Sequence, residues 1–128
     1  MPVSPEVSGD LTGLSVLVVE DEYFVANDSA RALRDHGARI LGPAPDLQRA
    51  RELLAGENPD VVLLDVNLKG EMVYSLAEEL LRRGVPMIFT TGYDASFLPA
   101  SLRGMPCLQK PIESHDLVRA IKVQAARQ

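Results

Sequence analysis

Five short stretches of the chain carry the hydrophobic pattern of strands, and four longer ones carry that of helices. The central strand lies in Val61 to Leu68, Val-Val-Leu-Leu-Asp-Val-Asn-Leu, where four consecutive aliphatic residues after Pro59-Asp60 run into a single carboxylate, Asp65. An apolar run without alternation describes a strand buried on both faces. Leu14 to Val19 is a second such run, and it also ends in acid, at Glu20-Asp21-Glu22. Ala38 to Leu41, closed by Gly42-Pro43, Val85 to Thr90, and Cys107 to Gln109 complete the strands.

Between them the period changes. Tyr23 to His36 places Phe24, Val25, Ala32 and Leu33 at helical spacing and stops at Gly37. Asp46 is an N-cap for a helix through Leu54 that Gly56 ends. After a Lys69-Gly70 turn, Val73 to Arg83 turns Leu76, Leu80 and Leu81 inward and Glu78, Glu79, Arg82 and Arg83 outward. Ser114 caps a last helix whose apolar stripe is Leu117, Val118, Ile121 and either Val123 or Gln124. Asp94 to Met105 has Pro99 where a helix interior would fall, so it holds one or two turns at most. Residues 1–13, with Pro2, Pro5, Gly9 and Gly13 among small polar residues, read as a flexible tail before a domain over residues 14–128.

Strands alternating with helices predict an α/β fold, a five-stranded parallel sheet in the order 2-1-3-4-5 with helices on both faces. In that order the first and third strands are neighbours. Glu20, Asp21 and Asp65 then meet at the carboxyl edge of the sheet, where such folds bind ligands.

Composition narrows the chemistry. A chain of 128 residues, 46% hydrophobic and 24% charged, is an ordinary globular domain. Its net charge of −5 argues against a phosphate-backbone partner, so no direct nucleic-acid binding is expected. The single cysteine, Cys107, cannot form an internal disulfide and fits a reducing compartment. No apolar run approaches the ~18 to 20 residues of a membrane span, and the start lacks an export signal. A cytoplasmic protein without membrane contact is expected.

Carboxylates converging from two strand ends repel unless a proton or cation intervenes. Oxygen ligands that leave room for water and phosphate suit Mg²⁺. Taken alone, Glu20 and Asp21 also fit a solvated helix start, and Asp65 a turn residue. Thr91, at the end of the fourth strand, offers a hydroxyl to an oxygen carried by Asp65, and Lys110, after the fifth, offers a mobile positive charge. Pro111 restrains the chain beside it and is a candidate for a cis peptide. His36 and His115 sit at a helix end and in a first helical turn, without the partners of catalytic or metal-binding histidines.

Glu20-Asp21, Asp65, Thr91-Gly92 and Lys110-Pro111 together resemble the signature of the receiver domain of two-component response regulators, from about Leu14 to the end of the chain. The resemblance implies a flavodoxin-like fold and a phosphoacceptor switch, with at most self-dephosphorylation as enzymatic activity. Asp65 would take a phosphoryl group from a phosphohistidine on a sensor histidine kinase or phosphotransfer protein. Mg²⁺ would be held by Asp21, Asp65 and the main-chain carbonyl of Asn67, with Glu20 acting through water. Thr91 would move toward the phosphoryl group as the switch is thrown. The implied docking surfaces are the first helix from Tyr23 to Ala30 for the kinase, and Ser96 to Arg103, Cys107 and Ser114 to Ala126 for output. A free-standing switch, monomeric or weakly dimeric, is expected, signalling through an output protein or through phosphorelay.

Three features depart from that pattern. The usual aromatic on the fifth strand is replaced by Cys107, and the usual proline four residues after the acceptor by Lys69. Phe89-Thr90-Thr91-Gly92-Tyr93 resembles instead the Phe-x-Thr-Gly-aromatic motif of a receiver subgroup, which makes Tyr93 the candidate switch aromatic and a shield for the acyl phosphate. The short stretch around Pro99 implies a fourth helix that is short or mobile, with Asp94 to Gly104 ordered by phosphorylation or a partner. Two other classes compete with the switch. A small aspartyl-phosphate phosphohydrolase would carry a second Asp where Asn67 stands, and a phosphorylation-independent docking module would not need the acids and Lys110.

Overall fold

The computed structural model describes residues 9–68, 71–92 and 98–127. In chain order the elements are β1 (Ser15–Val19), α1 (Tyr23–Asp35), β2 (Arg39–Ala44), α2 (Leu47–Gly56), β3 (Val61–Asp65), β4 (Asn67–Leu68), β5 (Glu71–Met72), α3 (Tyr74–Arg82), β6 (Met87–Thr91), a 3-10 turn at Ala100–Leu102, β7 (Cys107–Gln109) and α4 (Ser114–Ala125). Five strands form a parallel sheet in the order β2-β1-β3-β6-β7, the expected 2-1-3-4-5 once the small β4–β5 hairpin is set aside.

Continuous apolar strands are needed because both faces are covered. Successive side chains point to opposite sides, so Leu17, Val62, Leu64 and Phe89 pack with Leu54 of α2 and with Leu76 and Leu80 of α3. Val16, Val18, Leu63 and Ile88 pack on the other side with Leu33 of α1 and with Leu117 and Ile121 of α4. Burial of each such side chain contributes roughly 1.5–3 kcal/mol. The helix ends follow local chemistry: Asp46 accepts from the Arg49 backbone N–H at 2.8 Å, and Gly37 adopts φ 100° past the end of α1.

Several expectations need correction. β2 does not close at Leu41; it continues through Gly42-Pro43 to Ala44 with one extra residue, since Leu17 pairs with Leu41 but Val19 with Ala44. Gly42 makes that bulge possible: its φ is 84°, and a Cβ there would stand 2.6 Å from the Ala44 nitrogen. The hairpin that follows Asp65 was not anticipated, because two-residue strands carry no legible period. Phe24 and Leu81 face outward rather than into the core. Both lie at the margin of a helical stripe, where the covering layer ends. Ser114 is the first residue of α4, not its cap; Glu113 holds the cap position without a side-chain cap bond. Residues 9–13, assigned to the tail, form a packed turn in which Leu11 is fully buried and donates its N–H to the His36 carbonyl at 2.7 Å.

Gln124, rather than the half-exposed Val123, completes the stripe of α4. Its buried amide has a specific task. Phe89 donates to the Pro106 carbonyl, so the carbonyl of Met87, two residues earlier, faces the same side of β6. The next rung would have to come from Pro106, which has no N–H. Gln124 Nε2 donates to Met87 O at 3.3 Å instead.

The expected one or two turns around Pro99 reduce to the 3-10 turn among the described residues. Lys69, Tyr93 and Asp94 to Phe97 lie outside them.

Candidate functional site

β1, β3, β6 and β7 deliver their last residues to one edge of the sheet. Backbone bonds tie those ends together: Val66 N donates to Thr90 O at 2.9 Å, and Lys110 N to Thr91 O at 2.8 Å. Glu20 N donates to Ala44 O at 2.9 Å, so the bulged end of β2 fixes the residue that follows β1. That support escaped the sequence reading. The Gly42-Pro43 pair was its signal, readable as a bulge as well as a terminator.

Glu20, Asp21 and Asp65 each present a carboxylate oxygen within 4.8 Å of the others. Glu20 and Asp65 are buried, Asp21 is partly exposed, and Glu22 lies in solvent at the start of α1. Lys110 bridges the two buried acids, with Nζ 2.8 Å from Glu20 Oε1 and 3.2 Å from Asp65 Oδ2. The backbone N–H of Glu22 donates to Glu20 Oε2 at 3.0 Å, and that of Asn67 to Asp65 Oδ1 at 3.2 Å. Thr91, at the end of β6, is buried. The Lys110–Pro111 peptide is cis, as is Gly42–Pro43.

The electrostatics follow from burial. Glu20 is pushed up to about 7, chiefly because it has lost water, with the Asp65 charge adding to the rise and Lys110 and the Glu22 N–H opposing it. Burial pulls the Lys110 ammonium down, but its contacts with Glu20 and Asp65 outweigh this and hold it above its ordinary value. Three carboxylates face one ammonium. The donors are all oxygen and one acid is already driven toward protonation, so the residues fit a small hard dication.

Sheet order and site together define a doubly wound α/β domain whose switch point is an acidic pocket bridged by a lysine. The chain belongs to the response regulator receiver domain family, whose model matches residues 16–122. It is 34% identical over 116 residues to the transcriptional regulatory protein PdtaR of Mycobacterium tuberculosis, covering 88% of this chain and 57% of that protein. To the positive alginate biosynthesis regulatory protein of Pseudomonas aeruginosa it is 34% identical over 114 residues, covering 85% and 46%. The chain thus spans about half the length of these curated relatives. Among solved structures it resembles the receiver domain of PhyR from Erythrobacter litoralis, with TM-score 0.77, 30% identity and coverage of 91% and 92%. It also resembles SdrG from Sphingomonas melonis Fr1, with TM-score 0.75, 29% identity and coverage of 89% and 98%.

Receiver domains are signalling switches that bind Mg²⁺ in an acidic pocket and interact with phosphodonors such as histidine kinases. Here Glu20, Asp21 and Asp65 form the acidic cluster. Among the described residues no helix is long and apolar enough to cross a membrane.

Proposed function

We propose that this chain is a phosphoacceptor switch in which Asp65 accepts a phosphoryl group from a phosphohistidine. The observation that carries the reading is the lysine-bridged cluster, with Lys110 Nζ within 3.2 Å of Asp65 and three carboxylates within 4.8 Å of one another. An Asp65 oxygen forms the new O–P bond as the P–N bond to the donor imidazole breaks, and the electron pair of that bond leaves with the imidazole. Lys110 shifts from bridging two acids to neutralising the transferred oxygens, and the Thr91 hydroxyl donates to one of them. Asp21, Asp65 and the Asn67 carbonyl would hold Mg²⁺, with Glu20 reaching it through water; the ion supplies charge neutralisation between acceptor and phosphate.

The donor side is supported by α1. Tyr23 and Phe24 are 71% and 79% exposed and stack edge to face, with centroids 5.4 Å apart. Exposed rings of this kind anchor protein interfaces, and here they stand at the start of the helix that follows Glu20 and Asp21. Output is read through the face that includes Arg103, Cys107 and α4, and Tyr93, which lies outside the described residues, is the candidate for shielding the acyl phosphate from water. Tyr93→Ala then shortens the life of the phosphorylated state, and an unchanged decay rate removes that role.

The test is phosphoryl incorporation from candidate histidine kinases and from phosphoramidate, a small P–N donor. Wild type should be labelled with Mg²⁺ and not with chelator present, and Asp65→Asn should not be labelled. Label on another residue, or labelling that ignores the chelator, contradicts the assignment. If Mg²⁺ binds nowhere near Asp65 and no donor labels the chain, a phosphorylation-independent docking role replaces this one.

A further inference from the structure

A second charged concavity, of opposite sign, lies between α4, the end of α1 and the turn at residues 9–13. It is an open hollow of about 390 Å³ lined by Asp10, His36, His115, Val118, Arg119 and Lys122. Asp10, on one wall, precedes the stretch that matches the receiver family, residues 16–122.

The walls are held by the core. Leu11, fully buried, packs in the same cluster as Leu33, Leu117 and Val118, and its N–H is bonded to the His36 carbonyl. The His36 ring is oriented as well. Its Nδ1 lies 2.9 Å from the Ala32 carbonyl, an acceptor only, so Nδ1 carries a proton and Nε2 is the nitrogen left for other contacts.

Two cations of this cavity are unpaired. Arg39, Arg49, Arg51 and Arg83, on other faces, each stand against a glutamate. Among the described residues the side chains of Arg119 and Lys122 have neither an ion pair nor a hydrogen bond, as is also true of Arg31, Arg34, Arg82 and Arg127. Arg119 and Lys122 lie three residues apart, on one face of α4. Together with His36 and His115, the latter with its Nδ1 3.4 Å from Asp116 Oδ1, they bring two permanent cations and two imidazoles to a hollow lined by one carboxylate, Asp10, in a chain whose net charge is −5. A fork of guanidinium donors beside an ammonium matches the many acceptor oxygens of a phosphate group.

We propose that this cavity binds a multiply charged phosphate oxyanion, such as the phosphate chain of a nucleotide or the headgroup of an anionic phospholipid. This site does not depend on phosphorylation of Asp65. Binding is electrostatic and weakens as salt rises.

The test uses the full chain without Mg²⁺, with binding followed residue by residue through backbone amide NMR shifts. Tripolyphosphate and ATP should shift residues 10–12, 36–37 and 115–122. Arg119→Gln with Lys122→Gln, neutral exchanges on an exposed helix face, should keep the spectrum of the folded chain and weaken binding at least about tenfold, as loss of two charge-assisted contacts requires. Vesicles of neutral lipid with and without cardiolipin, whose headgroup carries two phosphates, separate the sources. Co-sedimentation only with the anionic vesicles, lost in the double variant, assigns a headgroup; saturable binding of ATP without co-sedimentation assigns a soluble phosphate. Shifts confined to the residues around Asp65 and Lys110, equal affinity in the double variant, or no binding of any probe would overturn the proposal.

Discussion

Two aspartates flank the same strand, and their surroundings differ in kind. Asp60 precedes β3 and faces donors: its Oδ2 accepts from the Ser15 N–H at 2.8 Å and from the Ser15 hydroxyl at 3.2 Å, while its own N–H bonds to the Ser15 carbonyl. Asp65 ends β3 and faces other acids, with Lys110 as the cation shared among them. Asp60 pins the start of β1 to that of β3, so its negative charge is met by groups that remain in place. The charge of Asp65 is met by a side chain that also serves Glu20, and a phosphoryl group or a dication can take over part of that balance. A carboxylate compensated by fixed backbone donors is structural; one held in shared, incomplete compensation is poised for chemistry.

The largest effect should come from Glu20, the acid that pays for this arrangement. Below about pH 4.5 its carboxyl is protonated in both folded and unfolded chains. Between 4.5 and about 7 only the folded chain keeps the proton, so stability falls as pH rises, by up to roughly 3 kcal/mol, and then levels off. Urea midpoints from pH 4.5 to 8 without divalent cation should show this slope, and Glu20→Gln should flatten it. Added Mg²⁺ should raise the wild-type midpoint most above pH 7, because ion and proton compete for the same oxygens. A slope unchanged in Glu20→Gln would place the titrating group elsewhere.

Next in size, Asp60→Ala should lower stability by about 1–3 kcal/mol, since it strands the N–H and hydroxyl of buried Ser15. Its phosphoryl acceptance, normalised to folded protein, should be unchanged. Asp65→Asn should act in the opposite direction on stability: removing one carboxylate from a cluster of three should raise cation-free stability by an amount on the order of 1 kcal/mol, read as a higher urea midpoint, while abolishing labelling. If both substitutions destabilised equally, the contrast between the two ends of β3 would be lost. The smallest effect is expected at Arg51→Ala, which breaks an exposed 2.7 Å pair with Glu79 between α2 and α3 and should cost less than about 1 kcal/mol. That guanidinium holds the Glu79 carboxyl below its ordinary range, yet solvent screens the pair.

Much of the fold and site was legible before any coordinates. Apolar runs marked every strand of the main sheet, and their acidic or hydroxyl-bearing ends marked Glu20, Asp21, Asp65 and Thr91. Phe24 and Leu81 were misplaced because period locates a stripe but not its edges. The bulge at Gly42-Pro43 was read as a stop, since glycine and proline punctuate both loops and irregular strands. Leu11 was read with its polar neighbours as tail, although one apolar residue can find a cavity in the core.

Strand order, and with it the meeting of Glu20, Asp21 and Asp65, was determined by the sequence alone, because alternating strands and helices with right-handed crossovers admit few arrangements. Tertiary structure decided what periodicity cannot express. It seated Lys110 between two buried acids, raised Glu20 by removing its water, set Gln124 in the rung that Pro106 leaves empty, and gathered His36, Arg119 and Lys122 around an open hollow that Asp10 borders. Each of these depends on distance and burial between residues far apart in the chain, quantities that exist only once the helices have packed against the sheet.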